Sequence, residues 1–213
     1  MKMALTNHMR VRLTFTDEVL ATQPADKEIH SHYISSKAPD AKAKEEEIEA
    51  IGVEEFIERG MTVFPRDKDG NPIIYGYQVK GFFKAAAKTL KDVKSTYSSK
   101  MTSYLKRIDR DVFIFPSIED RTGRMIPFHD YGEIHDCQRP LRASTPQGER
   151  VAISHSEAIS AGAWIEFDIE WFEDKQLSEA VICEWLDYGV YSGLLQWRNA
   201  GKGTFTWERV TEQ

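Results

Sequence analysis

Residues 165–171 read Ile-Glu-Phe-Asp-Ile-Glu-Trp, an unbroken alternation of large apolar and acidic side chains. An extended strand, whose side chains point to opposite faces in turn, sorts such a string into an apolar side and a charged side; a helix cannot. Ile165, Phe167, Ile169 and Trp171 then lie against a core, while Glu166, Asp168 and Glu170 face away from it. Residues 9–15 carry the same period with the opposite charge: Val11, Leu13 and Phe15 on one face, Arg10, Arg12 and Thr14 on the other. The two arginines are expected to meet water, the usual surroundings of surface charge, with an anion as the other partner they could take. Two such strands commit the chain to a sheet with one buried face, which other elements must cover.

Two amphipathic helices supply the cover. Residues 78–94 space Val79, Phe82, Phe83, Ala86 and Leu90 at helical intervals. Behind Ser178, placed as an N-cap, Val181, Ile182, Trp185, Leu186 and Val190 form a second stripe. Both helices are expected on one face of the sheet. Residues 112–116, 125–128 and 204–210 read as strands and 151–155 as a short one, whereas 129–142 reads as a polar loop. Residues 61–64 and 73–75 bracket Asp69-Gly70-Asn71-Pro72, and this turn chemistry predicts that they pair as a hairpin. Stripped of insertions the order is β-α-β-β-α-β, so the fold class is α+β with a ferredoxin-like or RRM-like core. Residues 17–60, with their prolines, histidines and acidic run, read as a large insertion or lid after the first strand.

A length of 213 residues suits one domain, 1–213, carrying that insertion. A formal net charge of -6 excludes a protein that binds nucleic acid with its whole surface but leaves room for a local patch. Between Lys80 and Arg110, nine basic residues stand against two acidic ones, a local excess of seven. Lys80, Lys84 and Lys88 begin the run, and Tyr97 and Tyr104 lie within it. Basic residues interleaved with aromatics have the composition of a single-strand nucleic-acid groove; a solvated lysine face is the other reading. Cys137 and Cys183 form no spaced framework, and no long apolar run follows the first residues. The expectation is a cytoplasmic protein with reduced thiols, no signal peptide and no membrane span.

Residues 193–203 hold Gly193, Gly201 and Gly203 between a helix-like and a strand-like stretch. Such glycines either make a plain turn or expose backbone amides to a ligand. Trp197, Arg198, Asn199 and Lys202 share the segment, so a base could stack on Trp197 and a phosphate could be gripped by Arg198. His30 and His32, and the run His129, Asp130, Glu133, His135, Asp136 and Cys137, have the donor types of metal sites but not a complete ligand spacing. No metal and no cofactor are expected.

Residues 78–84, Gln-Val-Lys-Gly-Phe-Phe-Lys, resemble the Leu-Lys-Gly-x-x-Arg start of the first helix in the RAMP superfamily of CRISPR proteins, above all its Cas7-like backbone subunits. Gly193, Arg198-Asn199, Gly201, Gly203 and Phe205 are similar to that family's glycine-rich loop before the final strand, with Leu195 where a second glycine often stands and Lys84 in place of the arginine. The text is also similar to uncharacterised proteins of bacteriophages and prophages. The resemblance implies guide RNA held along the sheet face, the first helix and the glycine loop, in company with other Cas-type subunits or further copies of the chain. Some type III members cleave RNA with an aspartate after the first strand; Asp17, Asp26 and Asp40 fall in that region, no motif singles one out, and no catalytic residue is assigned. The expectation is a non-catalytic, Cas7-like protein of a phage or prophage that binds single-stranded RNA. The alternatives are a phage interaction protein that binds a host defence protein or a nucleotide signal, and a metal-dependent nuclease using His129, Asp130, His135 and Asp136.

Overall fold

The computed structural model describes residues 6–25, 61–119, 121–145 and 148–211. The chain forms two compact units, one from Met1–Val19, Pro65–Glu133 and Ile159–Gln213, the other from Leu20–Phe64 and Ile134–Ala158. Pairing is mostly antiparallel in both, with the strands Thr62–Val63 and Gly148–Ile159 of the second unit parallel. No helix among the described residues is long and apolar enough to cross a membrane.

In the first unit, β1 (Thr6–Phe15) lies between β10 (Trp164–Phe172) and β11 (Phe205–Arg209), and β10 pairs on its far side with β6 (Val112–Phe115). All three pairings are antiparallel, so the strands run in the spatial order β11-β1-β10-β6. The first two residues of β10 instead meet β7 (Met125–His129), which pairs onward with β5 (Ile73–Tyr75). Val11 sits opposite Phe167 and Leu13 opposite Ile165, so both alternating segments turn their apolar residues to one face. Helix α1 (Gly76–Leu90) and helix α3 (Glu179–Asp187) pack against each other and cover that face. Phe83 meets Trp185 at 5.4 Å between ring centroids, and Phe82 meets Phe205 of β11 edge-on at 5.1 Å. Phe15, Phe82, Phe83, Phe167, Phe205, Trp171 and Trp185 are all buried there. This α+β arrangement is consistent with a ferredoxin-like core.

The second unit holds a five-stranded sheet in the order β2-β9-β4-β3, with β8 paired to β9. Its strands are β2 (Val19–Leu20), β3 (Gln23–Pro24), β4 (Thr62–Val63), β8 (His135–Thr145) and β9 (Gly148–Ile159). β8 and β9 form a long ribbon from His135 opposite Ala158 to Thr145 opposite Gly148.

Several local expectations change. Residues 129–142 were read as loop, yet from His135 onward they form β8. Its composition is polar and Pro140 cannot donate to a ladder, but among the described residues β8 pairs only with β9, and an edge strand tolerates a proline. The segments 61–64 and 73–75 do not pair with each other: Thr62 and Val63 join β3 and β9, whereas β5 joins β7. The turn between them is real, with the Asp67 carboxylate accepting the N–H groups of Asp69 and Asn71 and Gly70 at φ +85°, but only Arg66 and Pro72 bridge beyond it. Neither Pro65 nor Pro72 has an N–H with which to extend the pairing. Val190 lies in a 3₁₀ turn and is exposed rather than buried, and Ser178 starts α3 without a side-chain cap.

Phe205 is closely packed in this core, because a Cβ on Gly189 would stand 2.3 Å from its ring. Phe205→Ala is expected to lower the unfolding free energy by about 3–5 kcal/mol in a urea titration. Gly189→Ala should cost roughly 1–3 kcal/mol by overpacking. That cost should shrink in a Phe205→Leu background, where the clashing ring atoms are gone; equal costs in both backgrounds would show that the crowding is not at Phe205.

Candidate nucleic-acid interface

The basic run folds into α1, a short 3₁₀ turn (Ser98–Lys100) and helix α2 (Tyr104–Asp111). The apolar stripe of α1 faces the core, so its lysines fall on the outer side. Glu184 and Trp185 of α3 anchor the linking turn. The Glu184 carboxylate accepts the N–H groups of Tyr97 and Ser98 at 2.6 and 2.9 Å, and the Trp185 indole donates to the Ser98 hydroxyl at 2.9 Å. This anchoring leaves Tyr97 exposed, together with Lys94 and Lys100. The sequence placed the lysines and tyrosines here; it gave no sign of Glu184, which is distant in the chain.

The cations separate into two groups. Lys84 pairs with Asp109 at 2.5 Å, Arg107 with Asp174, and Arg110 with Asp111 at 2.7 Å. Lys80 reaches the Asp109 carbonyl at 3.2 Å and lies 5.4 Å from the centre of the Phe113 ring. Burial lowers its pKa; Asp109 opposes this, while Lys84 and Arg124 add to it. Lys88, Lys91, Lys94, Lys100 and Lys106 are exposed and form no ion pair among the described residues, Lys91 lying 5.7 Å above the Tyr104 ring.

The glycine segment is a backbone crossing. A Cβ on Gly193 would fall 1.9 Å from the Gly203 carbonyl carbon, and one on Gly203 would fall 2.2 Å from the Leu194 oxygen. The Leu194 N–H donates to Gly203 O at 2.9 Å, the Gly203 N–H to Glu18 O at 2.7 Å and the Gly201 N–H to Arg198 O at 3.1 Å. The glycines thus serve close approach and left-handed backbone, at φ +85° for Gly201 and +70° for Gly203. Lys202 folds back onto Asp17 and Glu18, at 2.9 Å from each carboxylate. Its hydrogen bond holds the Asp17 carboxyl below its ordinary range, and the two carboxylates raise Lys202 in return. Trp197, Arg198 and Asn199 are carried outward on the turn, and the Arg198 guanidinium has no ion pair among the described residues. Lys80 and Lys84 are therefore gathered around Asp109 and Lys202 around Asp17 and Glu18, two separate groups. Phe82 against Phe205 links α1 to the strand that the loop enters.

Arg10 and Arg12, partly exposed, pair with carboxylates rather than with water alone. Antiparallel register sets Arg10 opposite Asp168 and Arg12 opposite Glu166. Arg10 bonds to Asp168 at 3.0 Å and to Glu166 at 3.2 Å, and Arg12 bonds to Glu166 at 2.6 Å. His8 and the Ile118 N–H complete the shell of Asp168, and Arg121 pairs with Glu170 at 2.6 Å. The acidic face of β10 is thus neutralised by side chains of its own unit. Arg12 also lies 4.3 Å above the Trp164 ring, on which His129 stacks at 4.1 Å. Asp130 accepts the Trp164 indole N–H. In the second unit, Asp136 accepts from His155 at 2.9 Å, and His135 begins β8. His30, His32, Asp26, Asp40 and the acidic run lie outside the described residues.

The sequence matches no known protein-family model and no curated protein. Among solved structures, a chain of the cryo-EM structure of the Type III-B Cmr-beta bound to cognate target RNA is similar to this one. The TM-score is 0.50 at 9% identity, covering 97% of this chain and 59% of that chain. The chain therefore spans about three fifths of that chain's length, and the likeness is one of fold.

Lys202→Met is expected to lower stability by about 1 kcal/mol or less at neutral pH, because the pair it breaks is partly solvated. Asp17 is depressed below 3.8, so its part of the stabilisation is complete above pH 3.8 and is lost as pH falls through the folded value. Lys202 is raised above 10.5, so its part is complete below pH 10.5 and is lost as pH rises through the folded value. Urea titrations of the two proteins should differ by a constant amount between these limits and converge beyond them; a gap that widens in acid would contradict the pairing.

Proposed function

We propose that the chain is a Cas7-like protein of the RAMP type that holds single-stranded RNA without cutting it. The observation that carries this reading is the exposed surface of α1, α2 and their linking turn. Five lysines there, Lys88, Lys91, Lys94, Lys100 and Lys106, have no carboxylate partner among the described residues, and Tyr97 and Tyr104 lie among them. Unpaired cations supply the sequence-independent affinity for phosphates, and exposed rings supply stacking for bases. Lys80 and Lys84 flank this surface, and Trp197, Arg198 and Asn199 on the glycine turn offer a further ring and cation, with Gly201, Lys202 and Gly203 fixing the turn's shape. In this reading residues 1–213 are one RAMP-like domain with 17–60 as its insertion, and the β11-β1-β10-β6 order with α1 and α3 is its ferredoxin-like core. The likeness in fold to a chain from an RNA-bound Cmr structure supports it, and so extends the partners to guide RNA and to Cas-type subunits or further copies of the chain. Binding without chemistry is favoured because Asp17, Asp109 and Asp168 serve as counter-ions to Lys202, Lys84 and Arg10.

The test is titration with a short single-stranded RNA at several salt concentrations. If about three phosphates are engaged, log K should fall with log salt at a slope of roughly -2, and a Lys88→Ala/Lys94→Ala variant should reduce the slope's magnitude by about 1.4. Arg198→Ala should weaken binding without changing the fold. Absence of binding by the unaltered chain at low salt, or equal slopes for the unaltered and variant chains, would reject the RNA reading and leave a protein partner as the better one.

A further inference from the structure

A cavity of about 350 Å³ opens beside the first turn of α1 and along β6. Tyr77, Lys80, Phe113, Phe115 and Arg124 line it, all of them in the first unit. Its walls have an unusual charge balance. No carboxylate lines it, and two cations do. Asp109 is ion-paired with Lys84, and Lys80 donates to the Asp109 carbonyl. Arg124 donates through Nη1 to the carbonyls of Arg121 and Gly123, at 2.6 and 2.7 Å, which fixes the guanidinium without neutralising it. The two cations are close enough that Arg124 helps to lower the pKa of Lys80. Like charges held this near, with Lys80 partly withdrawn from water, are relieved by an anion that bridges them.

The remaining walls are rings. Phe113 and Phe115 lie nearly parallel, 10° apart with centroids at 6.5 Å, and the two cations sit over them: Lys80 5.4 Å from the Phe113 centroid and Arg124 5.1 Å from that of Phe115. Tyr77 stacks one face on Tyr75 at 5.6 Å and is 67% exposed, although an aromatic ring of this size gains by being covered. Its stacking partner fixes the ring's plane and leaves the outer face open. A ligand suited to these walls carries a compact anion at one end and a flat aromatic body at the other. A volume of about 350 Å³ stands at the lower end of the roughly 300–1,000 Å³ of small-molecule sites, room for one nucleotide and not for two.

We propose that this pocket is a mononucleotide site, in which Lys80 and Arg124 clamp the phosphate and the open face of Tyr77 receives the base. The nucleotide comes either from a free nucleoside monophosphate or from one residue of a bound strand; only the second source rests on the RNA reading above. The site is separate from the glycine turn and does not use the unpaired lysines of α1 and α2.

Isothermal calorimetry of the full chain with AMP, adenosine and inorganic phosphate tests the site, with a short oligoadenylate as the strand probe. AMP should bind, and adenosine and phosphate should each bind at least about tenfold more weakly, since each offers half of the contacts. Arg124→Gln and Tyr77→Ser should each weaken AMP about tenfold. Both side chains are exposed, so both variants should keep the melting curve of the unaltered chain. If the same two variants weaken the oligoadenylate, and AMP competes with it, the site takes a residue of the strand. If they weaken AMP alone, the site takes the free nucleotide, and this holds even where the chain binds no RNA. The proposal is overturned if AMP gives no heat while the oligoadenylate binds, a result that leaves the RNA reading intact. It is equally overturned if phosphate binds as tightly as AMP, or if neither substitution alters AMP binding.

Discussion

The register of β1 on β10 is the constraint on which the first unit depends. Val11 over Phe167 and Leu13 over Ile165 build the buried face, and the same pairing sets Arg10 over Asp168 and Arg12 over Glu166 on the other side. A slip of one residue would turn every apolar side chain of β1 outward and drive its arginines toward the helices. The apolar face supplies the favourable burial. The ion pairs, with Asp168 almost wholly withdrawn from solvent, cost desolvation and contribute chiefly by making any other register worse. The turn of Lys202 against Asp17 follows from the pairing of β1 with β11, which sets Phe15 opposite Phe205 and so brings the loop before β11 to Asp17 and Glu18, just beyond the end of β1.

Charge is distributed by the fold more than by the sequence. An acidic chain still presents an unpaired basic surface, because its carboxylates are used selectively. Glu166, Asp168 and Glu170 answer the arginines and His8 around the sheet; Asp109 answers Lys84; Asp17 and Glu18 answer Lys202. Glu184 is taken up by backbone N–H groups at the turn between α1 and α2. The cations without a counter-ion among the described residues include a run of lysines on the outer side of two helices, Arg198 on the glycine turn, and the pair Lys80 and Arg124 beside an aromatic cavity. These are the places where an anionic ligand would gain most. Local charge balance is thus a better guide to this surface than the net charge of -6.

Periodicity alone determined the strands of residues 9–15 and 165–171, the apolar stripes of α1 and α3, and the α+β class, because a face buried in one strand or helix is written into its own spacing. The lysine run and its tyrosines were legible for the same reason: they lie within 31 consecutive residues, 80–110. Of the ribbon of β8 and β9 only residues 151–155 were legible; the rest was not, since an edge strand need not alternate cleanly and tolerates Pro140. Nor were the true partners of 61–64 and 73–75, because a good turn shows where a chain reverses and not how far its arms stay paired. Only the tertiary structure decided which charges are spent. The partners of Arg10, Arg12, Lys84 and Lys202 lie between 25 and 196 positions away, and no local pattern records a contact whose existence depends on how strands are ordered in the sheet.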